Sequence, residues 1–463
     1  MIDTIIIFSY LAIILAIGLW SGRNIRNMEQ FSVAGRSFTS LVIFATLSAS
    51  FIGGGFSIGN AEKVFLFGIA NIFALWGFSL KELLIATFIA PRMDRFDDVI
   101  SIGDIMQRDY GKIGKVITGF FSVCLCAGIV GAQVGGIGIV FNVFLGISPI
   151  LGILIGCTIV IVYTTVGGMR AIVFTDIVQF IALSVAIPVT LYLGIRHVGG
   201  WDAVQAAAPA AHFAVPGDAM SAVAFLSLFL TFVLGETLVP PYVQRLYIGR
   251  NAAHTARGTL LSGLFSIPFF AVTGAIGLVA LAMNPELDAT RALPYVINEV
   301  LPIGIKGLVI AGVISIVMSS ADSFLNGAAI AVTHDIIKPL SPTPLPPQRE
   351  LVIAKFVTLA VGLIAVIFAI SIRSVLDILL FAYNFWAPII LIPLVATLLG
   401  VRANLSSFLS GAIAGILGTW LWNRTLGPAT GVDGLILGVF CNMVVFAFVA
   451  TFSRHANGEE KPQ

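Results

Sequence analysis

Four stretches put polar or backbone-breaking residues inside segments otherwise apolar enough to cross a bilayer, and chemistry has to be sought there. Val317–Ala329 reads VMSSADSFLNGAA and packs Ser319, Ser320, Asp322, Ser323 and Asn326 into barely two helical turns. Ser319, Asp322 and Ser323 are spaced i, i+3 and i+4, so they share a helical face. Hydroxyl, carbonyl and carboxylate oxygens, with no thiolate or imidazole among them, suit a hard alkali or alkaline-earth cation. The structural alternative is a polar seam bonding neighbouring helices, but a mid-span carboxylate costs several kcal/mol unless it is paired or functional. Tyr163–Phe180, YTTVGGMRAIVFTDIVQF, makes a tight turn at Gly167-Gly168 and then places Thr175, Asp176 and Gln179 on one face. Asp176 reads as a cation ligand or gate residue, or equally as a carboxylate at the positive end of a helix dipole.

The other two stretches break the backbone. Leu47–Glu62, LSASFIGGGFSIGNAE, carries Gly53, Gly54 and Gly55 in a row and then Gly59. Each glycine costs a helix about 1 kcal/mol relative to alanine, so three near mid-span predict an interrupted helix. Phe232–Arg245, FVLGETLVPPYVQR, combines Gly235, a charged Glu236 and Pro240-Pro241. Interrupted spans survive in a bilayer only where protein or a water-filled cavity satisfies the freed backbone groups, and those groups are what an ion or small solute binds. Lys81, Glu82 and Glu236 are the remaining intramembrane charges. One reading makes Lys81 and Glu236 a structural ion pair; the other makes Glu236 the partner of an amine on a solute.

These stretches need a membrane scaffold to position them. The chain has 463 residues, 58% hydrophobic and 10% charged, with a mean hydropathy of +1.03. That composition demands a bundle of bilayer-spanning helices. Thirteen spans are expected, near 4–20, 40–60, 64–91, 116–144, 149–166, 171–195, 220–241, 258–283, 303–335, 351–372, 375–400, 404–423 and 432–452. With the N-terminus outside and the C-terminus in the cytoplasm, 18 of the 25 basic residues fall in cytoplasmic segments, Arg245 among them; Lys63, Arg196, Arg291, Lys306, Arg373 and Arg424 fall outside, and Lys81 lies within a span. This is the asymmetry the positive-inside rule requires. The N-terminus carries no basic leader or A-x-A cleavage site, so Ile5–Trp20 reads as a retained first span. Cys124, Cys126, Cys157 and Cys441 lie in apolar runs and carry no metal-ligand spacing.

Two broken first helices in corresponding positions, five spans apart, predict an inverted repeat with a solute site between the breaks. The fold expected is an all-α polytopic membrane protein of about thirteen helices with a five-plus-five inverted-repeat core. Residues 1–38 form an extra helix and basic loop, 39–196 the first repeat, 197–219 a connector, 220–400 the second repeat, and 401–463 two further helices and a short tail.

The run GGMRAIVFTDIVQ resembles the signature of the sodium:solute symporter family. GGG-x-x-x-G-x-A-E in the second span, PPYVQR in the seventh and SSADS in the ninth are similar to its high-affinity choline transporter branch. The resemblance implies sodium-driven uptake of a small solute. It implies a sodium site made by Ala49, Ile52, Ile316, Ser319 and Ser320, and a second sodium at Asp176, Asp322 and Ser323. At Asp322 this chain departs from a serine found in some members. Choline transporters cage a quaternary ammonium in aromatic rings, which supply cation–π attraction. The cage positions fall on Phe51 and Val239 here, so a different solute, an amino acid, amine or similar, is expected. Phe51, Gly54, Gly55, Ser57, Phe78, Gln133, Glu236, Tyr242, Asn384 and Trp386 are the residues expected at its pocket.

Sodium (Na+) is thus the expected coupling ion, with the lipid bilayer and a small organic solute as the partners. No nucleic-acid partner is expected, and a monomer suffices for transport. Proton coupling through Asp176 or Asp322 is the alternative within the same fold, and a solute sensor the alternative from another class. A membrane enzyme is disfavoured because His197, His212, His254, His334 and His455 sit at loops or span ends in no catalytic motif. If Glu236 binds a solute amine, Glu236→Gln is expected to abolish uptake of that amine while sparing sodium binding. Unchanged uptake by the variant would refute the assignment.

Overall fold

The computed structural model describes residues 1–217, 220–371, 380 and 382–456. Among these the chain is helical, with no strand and only two isolated backbone bridges. Arg373, Lys461, the tail 457–463 and part of the expected span 375–400 lie outside the described residues.

Polar residues at the edges of apolar runs start the helices. Ser101, Ser148, Ser221, Asn251 and Asn404 each accept an amide from the first turn of the helix that follows, satisfying a donor that has no intrahelical partner. The helices that matter here are α1 (Ile2–Gly22), α2 (Ser40–Phe51), α3 (Gly55–Phe67), α4 (Ala70–Leu84), α5 (Ile102–Leu145), α6 (Pro149–Val198), α7 (Ala222–Leu234) and α8 (Pro240–Tyr247). They continue with α9 (Ala252–Met283), α10 (Ile305–Leu340), α11 (Pro347–Ser371), α12 (Ala387–Leu399), α13 (Leu405–Arg424) and α14 (Gly434–Ala456).

Nine helices among the described residues are long and apolar enough to cross a membrane, or ten when α2 and α3 count as one bent span. The spans expected at 149–166 and 171–195 are the two helical segments of α6, which meet at Gly168, where φ 48° and ψ −144° leave the helix at the expected turn. The seventh span divides into α7 and α8, and α5 has two segments, a short one from Ile102 and, beyond the non-helical Gly111 at φ 66°, the one that carries the span expected from 116. Both expected breaks are present. α2 and α3 meet at 68° across Ile52–Gly54, and Gly235–Val239 separates α7 from α8.

Helix α10 is the axis of the bundle. It is almost wholly buried and packs against α1, α5, α6 and α11. The Asp3 carboxylate of α1 accepts the amides of Gly304 and Gly307 at 2.7 and 2.8 Å, and Ser315 donates to the Tyr10 hydroxyl at 2.5 Å. At the far end of α10, His334 presents Nε2 to Asp104 at 3.0 Å and Nδ1 to Glu350 at 2.6 Å. Lys115 reaches Asp104 at 2.5 Å and Lys338 reaches Glu350 at 3.0 Å, locking α5, α10 and α11 together. Large apolar side chains such as Ile181, Phe356, Ile367 and Phe448 cover the outer faces, as lipid contact requires.

A Cβ on Gly168 would sit 2.5 Å from both the Phe31 ring and the Phe31 carbonyl oxygen, whereas at Gly35, also at positive φ, nothing lies within 4 Å. The left-handed backbone alone costs an L-residue about 1–2 kcal/mol. Gly168→Ala is therefore expected to lower the melting temperature of the detergent-solubilised protein clearly more than Gly35→Ala. Equal shifts would contradict the close approach of α6 to the Phe31 segment.

Candidate functional site

The first break exposes backbone and then brings side chains to it. The Gly53 amide bonds the Phe51 carbonyl at 2.7 Å, so it does not close the helical turn on Ala49. Ser320 of α10 donates to the Ser50 carbonyl at 2.7 Å, and Gln133 of α5 accepts the Gly54 amide at 2.9 Å. The approach is close: a Cβ on Gly53 would lie 2.7 Å from both the Ser320 hydroxyl and the Gln133 amide nitrogen, so either side chain would have to shift. Ser57 closes the region by donating to the Gly53 carbonyl at 2.9 Å. Ile316 lies one turn before Ser320 on the same face of α10, and it too is fully buried.

A charged cluster adjoins the break. Asp176 of α6 accepts from Thr46, from Ser319 at 2.5 Å and from the Arg245 guanidinium at 2.9 Å, with Ser50 at 3.5 Å. Arg245, on α8, is completely buried. Its remaining donors go to Ser323 at 2.7 Å, the Thr46 carbonyl at 3.2 Å and the Pro241 carbonyl at 3.0 Å. Asp322 accepts from Tyr163 at 2.5 Å and from Ser323 at 3.0 Å. Two carboxylates and one guanidinium thus share the interior, amid hydroxyls from α2, α6 and α10. Oxygen donors and a formal excess of one negative charge are the chemistry of a hard monovalent cation site.

On the other side of the break, Phe51, Phe56, Phe78 and Phe270 pack with ring centroids 4.7–6.4 Å apart, and Tyr242 meets Phe78 at 6.3 Å. Glu236, in the second break, has one carboxylate oxygen bonded by Tyr242 at 2.6 Å and the other by Tyr383 at 2.8 Å. The Trp386 indole donates to the Thr237 carbonyl at 2.8 Å. Lys81 takes Glu82 as its carboxylate partner at 3.2 Å. It meets Glu236 through the main-chain oxygen at 2.6 Å, not through the carboxylate as a Lys81–Glu236 ion pair requires.

Most residues singled out from the sequence converge on these two neighbouring regions. Ser319 is the exception within its set: its hydroxyl is turned to Asp176, so it bridges the two proposed cation sites rather than joining Ser320 at the break. Gly55 begins the α3 turn beyond the break. Asn384 lies beside Tyr383, half-buried, and its amide contacts the Leu380 carbonyl at 3.5 Å. Gln179 and Asn326 are buried with neither amide atom in a hydrogen bond among the described residues. The residue that sequence reasoning misplaced is Arg245, counted among the loop cations. Helix α8 restarts at Pro240 and runs to Tyr247, which puts Arg245 inside the bundle. A helix restart after Pro240-Pro241 was the available signal. Thr46, Ser50, Tyr163 and Tyr383 carry no comparable signal; only the packing of distant segments gives them roles.

Two interrupted helices, a buried polar centre between them and a lipid-facing apolar exterior define a polytopic membrane transporter. The structure aligns with the substrate-bound outward-open state of a Na+-coupled sialic acid symporter at a TM-score of 0.84, with 20% identity, covering 98% of each chain. A nucleobase-cation-symport-1 family transporter in a closed conformation aligns at 0.63, covering 93% of this chain and 99% of that one. In sequence, the high-affinity choline transporter 1 of Caenorhabditis elegans is 25% identical over 89% of this chain and 76% of its own length. The sodium/sialic acid symporter NanT of Aliivibrio fischeri is 25% identical over 99% and 95%. The sequence profile of the sodium:solute symporter family matches residues 31–415, and the chain belongs to that family.

Removing one partner of a buried ion pair leaves an uncompensated charge and costs about 3–5 kcal/mol. Asp176→Asn and Arg245→Met are each expected to destabilise the protein on that scale. The double variant should lose clearly less than the sum, as a double-mutant cycle on thermal or denaturant unfolding will read. Additive losses would mean that the pair is not coupled.

Proposed function

We propose that this protein is a sodium-coupled symporter that takes up a small organic solute by alternating access between two inverted repeats, residues 39–196 and 220–400. The N-terminus is placed outside and the C-terminus in the cytoplasm of the cell membrane. A single chain supplies every group required.

The observation that carries the reading is the Ser320 hydroxyl at 2.7 Å from the Ser50 carbonyl, beside the turn that the Gly53 amide leaves open at Ala49. Carbonyls of Ala49, Ile52 and Ile316 with the hydroxyls of Ser319 and Ser320 make an all-oxygen set from both halves of the chain, as Na+ requires. An ion there favours the arrangement in which α10 rests on the break. That is how ion binding is linked to one conformation of the carrier. Asp176, Asp322 and Ser323 form the second proposed sodium site, and Arg245 tempers its negative charge. One positive charge moving through 100 mV contributes about 2.3 kcal/mol to uptake. The solute is assigned to the space bordered by Phe51, Gly54, Gly55, Ser57, Phe78, Gln133, Glu236, Tyr242, Asn384 and Trp386. Val239 and Phe51 at the cage positions speak against choline. Proton coupling is the second reading, favoured by Arg245 already holding the Asp176 and Ser323 oxygens that a second sodium would use.

A ligand that binds the native state stabilises it by mass action. In a thermal-shift screen of amino acids, amines, sugars and carboxylates, at least one solute is expected to raise the melting temperature in sodium and not in lithium or choline chloride at the same pH. Ser320→Ala is expected to raise the sodium concentration for half-maximal effect at least about tenfold, the equivalent of about 1.4 kcal/mol. Solute stabilisation that follows pH and ignores sodium would replace sodium coupling with proton coupling.

A further inference from the structure

Lys81 is a charged side chain that neither the sodium reading nor the family resemblance uses. It lies in α4 and is 2% exposed. Its ammonium donates to the Glu236 main-chain oxygen at 2.6 Å and sits over the rings of Phe78 and Tyr242, 3.7 and 4.8 Å from their centroids. The Glu82 carboxylate is 3.2 Å away, but that approach lies off the hydrogen-bonding direction. The directed bond is therefore the one to the second break.

A carbonyl freed by helix unwinding, a nearby carboxylate and two aromatic faces are the surroundings a mobile cation selects. The Glu236 oxygen lies where the chain has left α7 and not yet begun α8, with Leu238 in a left-handed conformation at φ 53°. The next carbonyl, that of Thr237, is taken by the Trp386 indole. Two successive carbonyls of the second break are thus served by donors that belong to the chain. At the first break, Ala49 and Ile52 are proposed to offer theirs to an ion that comes and goes.

We infer that Lys81 is a tethered cation: it holds the second broken helix as a bound ion would, and it closes the notch between Phe78 and Tyr242 to any ammonium on the cargo. An ammonium on the cargo would have to displace the Lys81 ammonium from the two rings and the Glu236 carbonyl, so the group a cargo brings to that notch is one that does not compete for them. This deepens the proposed cargo site and rests on that reading for the word cargo alone; the role at the break stands without it. Lys81 is a positioning residue in this account.

The test uses the full-length detergent-solubilised protein and methylammonium, which reproduces the end of the lysine side chain. Lys81→Ala is expected to melt lower than wild type and to regain more than half of the loss in saturating methylammonium. Wild type should gain nothing, and tetramethylammonium, too large for the space, should rescue neither. Lys81→Met is expected to melt lower too, and Lys81→Met with Glu82→Gln should stay low, because the break carbonyl still lacks its cation. A double variant restored to the wild-type melting temperature would overturn the inference, reducing Lys81 to the partner of Glu82. A Lys81→Ala variant indifferent to methylammonium would overturn it as well. If Lys81→Ala is lost during purification, the yield of monodisperse protein prepared throughout in methylammonium becomes the readout, recovery supporting the inference and its absence overturning it. Sodium shifts of wild type, recorded in parallel, keep the two ideas separate: sodium indifference would sink the symporter reading and leave the methylammonium comparison intact.

Discussion

A helix interrupted in the middle of a bilayer has to place its orphaned amides and carbonyls, because hydrocarbon offers them nothing. Several polar contacts in the centre of this molecule answer that demand. Ser320 and Gln133 reach the first break from α10 and α5, and Lys81 and Trp386 reach the second. The same rule operates farther out, where Asn442 of α14 donates to the Pro388 carbonyl at 2.8 Å at the distorted start of α12. Asn60 near the first break bonds the Phe270 carbonyl at 2.8 Å and the Thr273 hydroxyl at 2.7 Å. The breaks thereby decide which helices are neighbours, and α10 is central because it serves the first break directly.

Charge burial sets the second condition. A lone carboxylate at this depth is costly, yet Asp176 and Asp322 are both fully buried. The arrangement that tolerates them joins α2, α6, α8 and α10 through one guanidinium and several hydroxyls, and four helices then have to stay in register. Apolar packing could hold the helices as well, but once the charges are buried, removing any one of them leaves its partners uncompensated. Ser319 and Ser323 are the joints of this arrangement. Ser319 donates to Asp176, while Ser323 donates to the Ser319 carbonyl at 2.7 Å and accepts from Arg245.

Features that depend on local backbone chemistry were legible in the sequence. Gly53–Gly55 and the Gly235 to Pro241 segment mark the two breaks, and Gly167-Gly168 marks a kink, because a glycine run or a proline pair disturbs a helix wherever it lies. Hydropathy located the apolar segments, and the two spans it set on either side of Gly167-Gly168 are the two helical segments of α6, which part at the non-helical Gly168. The polar side chains of SSADS announced a site, and their partners did not. Thr46 and Tyr163 look like ordinary membrane-helix residues until folding brings them to Asp176 and Asp322. Arg245 was read wrongly for a related reason. Basic residues near a span end usually face water, and only the helix restart after the break carries this one inward.

The two breaks now differ in a way that composition could not reveal. Both interrupt a helix, and both release carbonyls toward the centre. At the first, the partners are hydroxyl and amide groups from α10 and α5, all neutral, so the oxygens there can still attract a cation. At the second, a lysine fixed to α4 already provides the charge, with Glu236 held by two tyrosine hydroxyls beside it. A carrier that couples ion to solute needs one site whose charge can leave and another whose charge stays to keep the surroundings shaped. On the proposed reading, the neutral partners at one break suit the first duty and the Lys81 ammonium at the other suits the second.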